Sequence, residues 1–140
     1  MILLDTNVVS EPIRRHPDRR VLDWLDAQAI ETLYFATISL AELLLGVENL
    51  PVGRRPTALA VALEQQIADL FGDRIIGFDI AAAEAYAKVV ARARSQGHAI
   101  SIADGQIAGV ATANKLRIAS RDEAPFQAAG LEVINPWNSR

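Results

Sequence analysis

Ile2-Leu3-Leu4-Asp5-Thr6-Asn7 is the stretch from which the rest of the chain is read. Three consecutive apolar residues followed by a polar triplet describe a short strand buried on both faces, the kind that parallel sheets contain. Asp5 ends the run. In open α/β sheets, ligands bind beyond the carboxyl ends of the strands. Asp5 therefore has two readings, as a site carboxylate and as the N-cap of the helix that follows.

Working outward, apolar strands alternate with helical periodicities. Thr6 to Pro12 reads as a short helical start, and Arg14-Arg15-His16-Pro17-Asp18-Arg19-Arg20 as a polar loop. Arg14, Arg15, Arg19 and Arg20 suit either a solvated surface or contact with phosphates or an acidic partner, because the guanidinium fork matches phosphate. Val21 to Ala27 predicts an amphipathic helix and Leu33-Tyr34-Phe35-Ala36 a second buried strand. Leu40, Leu43, Leu44 and Val47 follow at helical spacing. Prolines and a glycine over 50–56 predict a turn into a further helix marked by Leu59, Leu63, Ile67 and Leu70. Ile75-Ile76-Gly77-Phe78 is a third strand, and Asp79 caps the alanine-rich helix that Gly97 stops. A helix over 103–114, a strand over 116–119, a short helix over 125–129 stopped by Gly130, and a strand over 132–134 complete the pattern. Strand-helix alternation of this kind predicts an α/β fold, a three-layer α/β/α sandwich around a parallel sheet of about five strands. No repeat or linker divides residues 1–140, so one domain is expected.

Composition narrows the function classes. About half the residues are hydrophobic, enough for a real core, and the absence of cysteine excludes disulfides and thiolate metal sites. The start does not read as a signal peptide, and runs such as Ala58 to Leu63 are far too short to span a membrane. A cytoplasmic setting is expected. A net charge of −3 argues against coating nucleic acid through bulk positive charge, but it is compatible with an enzyme that meets RNA through a local basic patch.

Three further carboxylates stand beside Asp5 as candidates. Glu42 closes Ser39-Leu40-Ala41-Glu42, which matches the Ser-x-x-Glu capping box and would tie that carboxylate to a helix N-terminus. Asp104, in Ser101-Ile102-Ala103-Asp104-Gly105, fits a similar box. A glycine at 105 costs a helix ~1 kcal/mol relative to alanine, so close approach of a substrate or a bound ion is expected there, with packing as the alternative. Asp122 follows the fourth strand as a turn or cap residue, or as a second acid on the edge that Asp5 occupies.

Together, Leu-Asp-Thr-Asn at the start, Ser-Leu-Ala-Glu-Leu before an apolar helix, Ala-Asp-Gly-Gln-Ile-Ala late in the chain and Ala-Ser-Arg-Asp after a late strand resemble the PIN domain. The likeness is to its VapC-type toxins in the FitB-like branch, which Asn135-Pro136-Trp137 also resembles, and it covers essentially the whole chain. The resemblance implies a PIN-like, Rossmann-like fold and a Mg²⁺-dependent (or Mn²⁺-dependent) endoribonuclease. Asp5, Glu42, Asp104 and Asp122 would be its catalytic acids, with Asp5 and Asp104 the leading metal ligands. Thr6 and Asn7 would be secondary site residues. It also implies an RNA substrate, a VapB-like antitoxin, a homodimer, and contact with promoter DNA only through the antitoxin. One departure stands out. Many VapC toxins carry Arg-Asn after the fourth strand and an acid three residues on, whereas this chain has Arg121-Asp122 and then Pro125. Gathered acids repel, so at least one pKa is expected to rise, and a divalent cation would relieve the repulsion. Neither His16 nor His98 is expected to act as a general base.

Two rivals bear on this reading. An aspartate-nucleophile phosphatase also ends its first strand in Asp, but it needs a second Asp two positions on, where this chain has Asn7. A PIN-like module that binds RNA or a partner without cutting would not need all four acids.

Overall fold

The computed structural model describes residues 1–51 and 56–138. Its centre is a five-stranded parallel sheet formed by β1 (Ile2–Leu4), β2 (Leu33–Ala36), β3 (Ile75–Ile76), β4 (Arg117–Ala119) and β5 (Val133–Ile134), in the spatial order β3-β2-β1-β4-β5. β1 is the middle strand. Ile2 pairs with Leu33 on one side and Arg117 on the other, and Leu4 lies opposite Ala119. The opening apolar run is a strand because each of its three residues is covered on both faces. Side chains alternate along a strand: Leu3 enters one core layer, while Ile2 and Leu4 enter the other.

The helices supply the outer layers. On one face lie α5 (Ile80–Ser95), α6 (Ile102–Ala113) and α7 (Glu123–Ala128), through residues such as Val89, Ile107 and Phe126. On the other lie α1 (Thr6–Ser10), α2 (Arg19–Ala27) and α4 (Pro56–Phe71), joined by Leu40 and Leu43 of α3 (Thr37–Glu48). There Phe71 of α4 stacks on Phe35 of β2, ring centroids 5.3 Å apart. Helices α3 and α4 pack together, and the turn expected between them falls largely on residues outside those described. Among the described residues, no helix is long and apolar enough to cross a membrane.

Most helix limits follow the capping chemistry read from the sequence. Asp79 accepts the Ala82 N–H at 2.9 Å, and Gly97 and Gly130 take left-handed backbone (φ 74° and 94°) just past α5 and α7. The third strand is shorter than expected. Phe78 has left the sheet, and its ring meets Tyr86 edge-on at 6.1 Å. Gly105 also has a structural explanation. A β-carbon there would lie 2.9 Å from side-chain atoms of both Tyr86 and Val90, and at Gly109 it would lie 2.7 Å from the Ala82 carbonyl oxygen. The glycines let α6 press against α5, so the close approach at Gly105 is by a neighbouring helix rather than by substrate or ion.

The strand order places the site. From β1 the chain builds outward through β2 and β3, then returns to the other side of β1 to add β4 and β5. The crevice between the ends of β1 and β4 is thus the topological switch point, where such sheets bind ligands.

Candidate metal centre

Both sides of that crevice are polar. Asp5 follows β1 and caps α1, its carboxylate accepting the Thr6 N–H at 2.8 Å. Its other oxygen accepts the Ser120 hydroxyl at 2.7 Å from beyond β4. The two readings of Asp5 coexist, since the cap uses one oxygen and leaves the residue facing the crevice. Asp5 is only 5% exposed. Burial pushes its pKa up to about 6. The Ser120 and Thr6 hydrogen bonds pull against that rise, while the charges of Asp104 and Glu42 add to it.

Glu42 does not belong to a capping box. Helix α3 starts at Thr37, directly after β2, with Ala36 in the cap position and no side-chain cap. Ser39 is therefore already inside the helix, fully buried, its hydroxyl without a hydrogen-bond partner among the described residues. Starting the helix three residues earlier places Glu42 in the second turn. There its Oε1 accepts the Thr6 hydroxyl at 2.7 Å, so Thr6 joins Glu42 to the Asp5 loop.

Asp104 lies in the first turn of α6, where the Ser101 hydroxyl caps its N–H at 3.1 Å, as expected. Burial raises the Asp104 pKa, a hydrogen bond with Ser101 opposes the rise, and the charges of Asp122 and Glu42 reinforce it. Asp122 precedes α7 without capping it. Its N–H donates to Ser120 Oγ at 3.0 Å, and its Oδ2 accepts from Asn7 Nδ2 at 3.4 Å. Asn7 also accepts the Arg121 N–H at 3.4 Å, so it ties the loop after β1 to the loop after β4.

The four acids thus come from four separate segments to one edge of the sheet and feel one another's charge. They do not close on a point. Among the described residues no three His, Cys, Asp or Glu side chains are placed to hold an ion as they stand, and each acid of the pocket keeps its own hydrogen-bonding partner. The expected pKa rise is present at Asp5 and Asp104, but its main cause is burial rather than mutual repulsion. The donors are all carboxylate and hydroxyl oxygens, the set that hard divalent ions accept. A carboxyl whose negative form is disfavoured by burial is also one that a nearby cation would stabilise.

Ser120 is a site residue that the sequence reading passed over. It is buried and bonds Asp5, Asp122 and, at 3.5 Å, Asn7. Its signal was available: a polar residue ending the apolar run of β4 at the same edge as Asp5. The arginines of the 14–20 loop have mostly local partners. Arg14 bonds both oxygens of the buried Glu11 at 3.2 Å, which also accepts the Asp18 N–H. Arg19 pairs with Asp23 at 3.2 Å and Arg20 with Asp18 at 2.8 Å. Arg15 and His16 are exposed.

Comparison with known proteins agrees with this architecture. The family model described as "PIN domain" matches residues 2–131. The chain is 51% identical to the plasmid stability protein StbB of Pseudomonas syringae pv. tomato, over 99% of this chain and 100% of that one. It is 47% identical to the VapC ribonuclease Y4jK of Sinorhizobium fredii, over 98% of each. The solved FitAcB complex of Neisseria gonorrhoeae contains a chain 46% identical to this one, with a TM-score of 0.92 over 99% of both. A match of this extent, on a sheet with four acids at its switch point, establishes that the chain belongs to the PIN-domain family.

Proposed function

We propose that this protein is a divalent-metal-dependent endoribonuclease and the toxin of a VapBC-type toxin–antitoxin pair. One observation carries the reading most directly. Asp5 is buried between β1 and β4 with a pKa near 6, and acids from two other segments, Asp104 and Glu42, bear on it. A fold has little reason to bury a carboxylate in this way, with further acids beside it, unless a cation and a phosphodiester are to meet there.

In this reading Asp5 and Asp104 hold the ion, Mg²⁺ or Mn²⁺, and Glu42 and Asp122 complete the acidic pocket. When bound, the ion would supply Lewis-acid activation of the phosphate and of a water nucleophile. The chain's own groups do the positioning. Ser120 and Thr6 each donate to Asp5 and fix its plane. The Thr6 hydroxyl keeps Glu42 turned toward the Asp5 loop. Asn7 and Ser120 hold the loop carrying Asp122 at the same edge. The burial of Asp5 limits water there, which strengthens its interaction with any positive charge that enters.

Relatives support the wider role. One carries the name VapC ribonuclease and another Toxin FitB, at 47% and 46% identity. A chain 43% identical to this one occurs in FitAB bound to a DNA fragment. By this likeness the partners are an RNA substrate and a VapB-like antitoxin. A homodimer, promoter contact only through the antitoxin, and a cytoplasmic location belong to the same proposal. The test is cleavage of total RNA by highly purified protein with Mg²⁺ or Mn²⁺ added and then chelated, beside Asp5→Asn. Metal-dependent cleavage that the substitution abolishes is the expected result. Equal activity in both proteins would identify a contaminant, and no cleavage under any metal condition would favour a non-cleaving module.

A further inference from the structure

An acidic pocket on a chain of net charge −3 repels the polyanion it is proposed to cut. A cation beside the pocket has to hold the strand. The four arginines of the 14–20 loop are the obvious source in the sequence, but three of them are already bonded to Glu11, Asp23 and Asp18. Arg121 is different. It is exposed and, among the described residues, forms no ion pair. It stands between Ser120, which bonds Asp5, and Asp122. Its own N–H is tied to Asn7 of the β1 loop at 3.4 Å.

The Arg121 side chain is also held. Its guanidinium carbon lies 5.2 Å from the ring centroid of Trp137, a residue only 5% exposed in the short 3-10 turn Pro136–Asn138. Cation–π stacking engages the face of the guanidinium and leaves its N–H edge for other partners. The Arg121 charge also reaches Asp18, whose carboxyl is held low chiefly by hydrogen bonds from Arg20, with a small contribution from Arg121. Asp18 is thus already occupied by Arg20, through two side-chain hydrogen bonds at 2.8 and 3.1 Å.

From this geometry we infer that Arg121, braced on Trp137, is the substrate-binding residue that grips a backbone phosphate of single-stranded RNA next to the acidic pocket. The inference rests on the nuclease reading above and adds the residue that holds the strand. A guanidinium fork pre-set by stacking loses little side-chain freedom when it engages a phosphate in two hydrogen bonds. Lysine would keep the charge but lose both the fork and the stack.

The test is fluorescence anisotropy with a labelled single-stranded RNA of mixed sequence, titrated with Asp5→Asn protein so that the strand stays intact. Arg121→Ala in that background should weaken binding about tenfold and reduce the slope of log affinity against log salt by about 0.7, one phosphate contact on a single strand. Arg121→Lys should retain the slope and recover only part of the affinity. Trp137→Phe should retain the slope with a smaller loss. Melting temperature should be unchanged in Arg121→Ala, which a purely structural role for the stack would lower. An unchanged affinity and salt slope in Arg121→Ala, with wild-type cleavage still abolished by Asp5→Asn, would overturn the Arg121 assignment and leave the nuclease reading standing. Absence of metal-dependent cleavage by the wild type would overturn both.

Discussion

Asp5→Asn should make the metal-free protein more stable at neutral pH while removing its activity. The Asp5 carboxyl rises from an ordinary value of 3.8 to about 6 in the folded chain. The folded state therefore binds the Asp5 proton more tightly than the unfolded state does. Stability from this group is fully present below the unfolded pKa and is lost as pH rises through the folded one. Two pKa units correspond to roughly 3 kcal/mol against the folded state at pH 7.5. Asparagine carries no such penalty but gives up one ordinary hydrogen bond at its second oxygen, worth about 1 kcal/mol net. The variant should thus gain about 2 kcal/mol at pH 7.5, or roughly 6 °C in Tm for a chain of this size. At pH 4, where Asp5 is largely protonated in the folded protein, the gain should vanish. Guanidinium denaturation of both proteins in chelator at pH 4, 5, 6 and 7.5 measures the difference directly, with other titrating groups largely common to the pair. A difference that does not change with pH, or a variant less stable at pH 7.5, would refute the argument from burial.

Other expectations follow from the same contacts. Mg²⁺ or Mn²⁺ should raise the Tm of the wild type and leave Asp5→Asn nearly unmoved, by thermal scans at saturating metal. Ser120→Ala removes the hydroxyl that lowers the Asp5 pKa, so the Asp5 carboxyl followed by carbon-detected NMR should titrate at higher pH than in the wild type. Gly109→Ala, whose new methyl would meet the Ala82 carbonyl at 2.7 Å, should cost about 1–3 kcal/mol in denaturant titration. Gly105→Ala meets only side-chain atoms and should cost less. Glu11→Ala leaves the half-buried Asp18 N–H without its acceptor while the exposed Arg14 guanidinium returns to water, and should destabilise by about 1 kcal/mol in denaturant titration.

Several features were legible from residue order alone. The strand Ile2-Leu3-Leu4, the cap at Asp79 and the stops at Gly97 and Gly130 depend on local propensity and on apolar periodicity, both written directly into the chain. The capping box at Ser39–Glu42 was misread because such a box is defined by four residues, whereas the start of α3 is set by where β2 leaves the sheet. Gly105 was ambiguous for a similar reason, since its neighbour is Tyr86, nineteen positions away in sequence. The arginine loop drew attention by its density of charge, but ion pairing within and beside the loop engages most of that charge.

By itself the sequence determined the alternation of strands and helices, the acids available and the absence of any thiolate chemistry. These are properties of composition and short-range order. Only the tertiary structure decided that β1 is the middle strand, that Ser120 reaches Asp5 across 115 positions, and that Arg121 rests on Trp137 beside the pocket. The physical reason is that a carboxylate's pKa and a guanidinium's availability depend on what surrounds them in space. Burial and pairing between distant segments come into being only when the sheet closes.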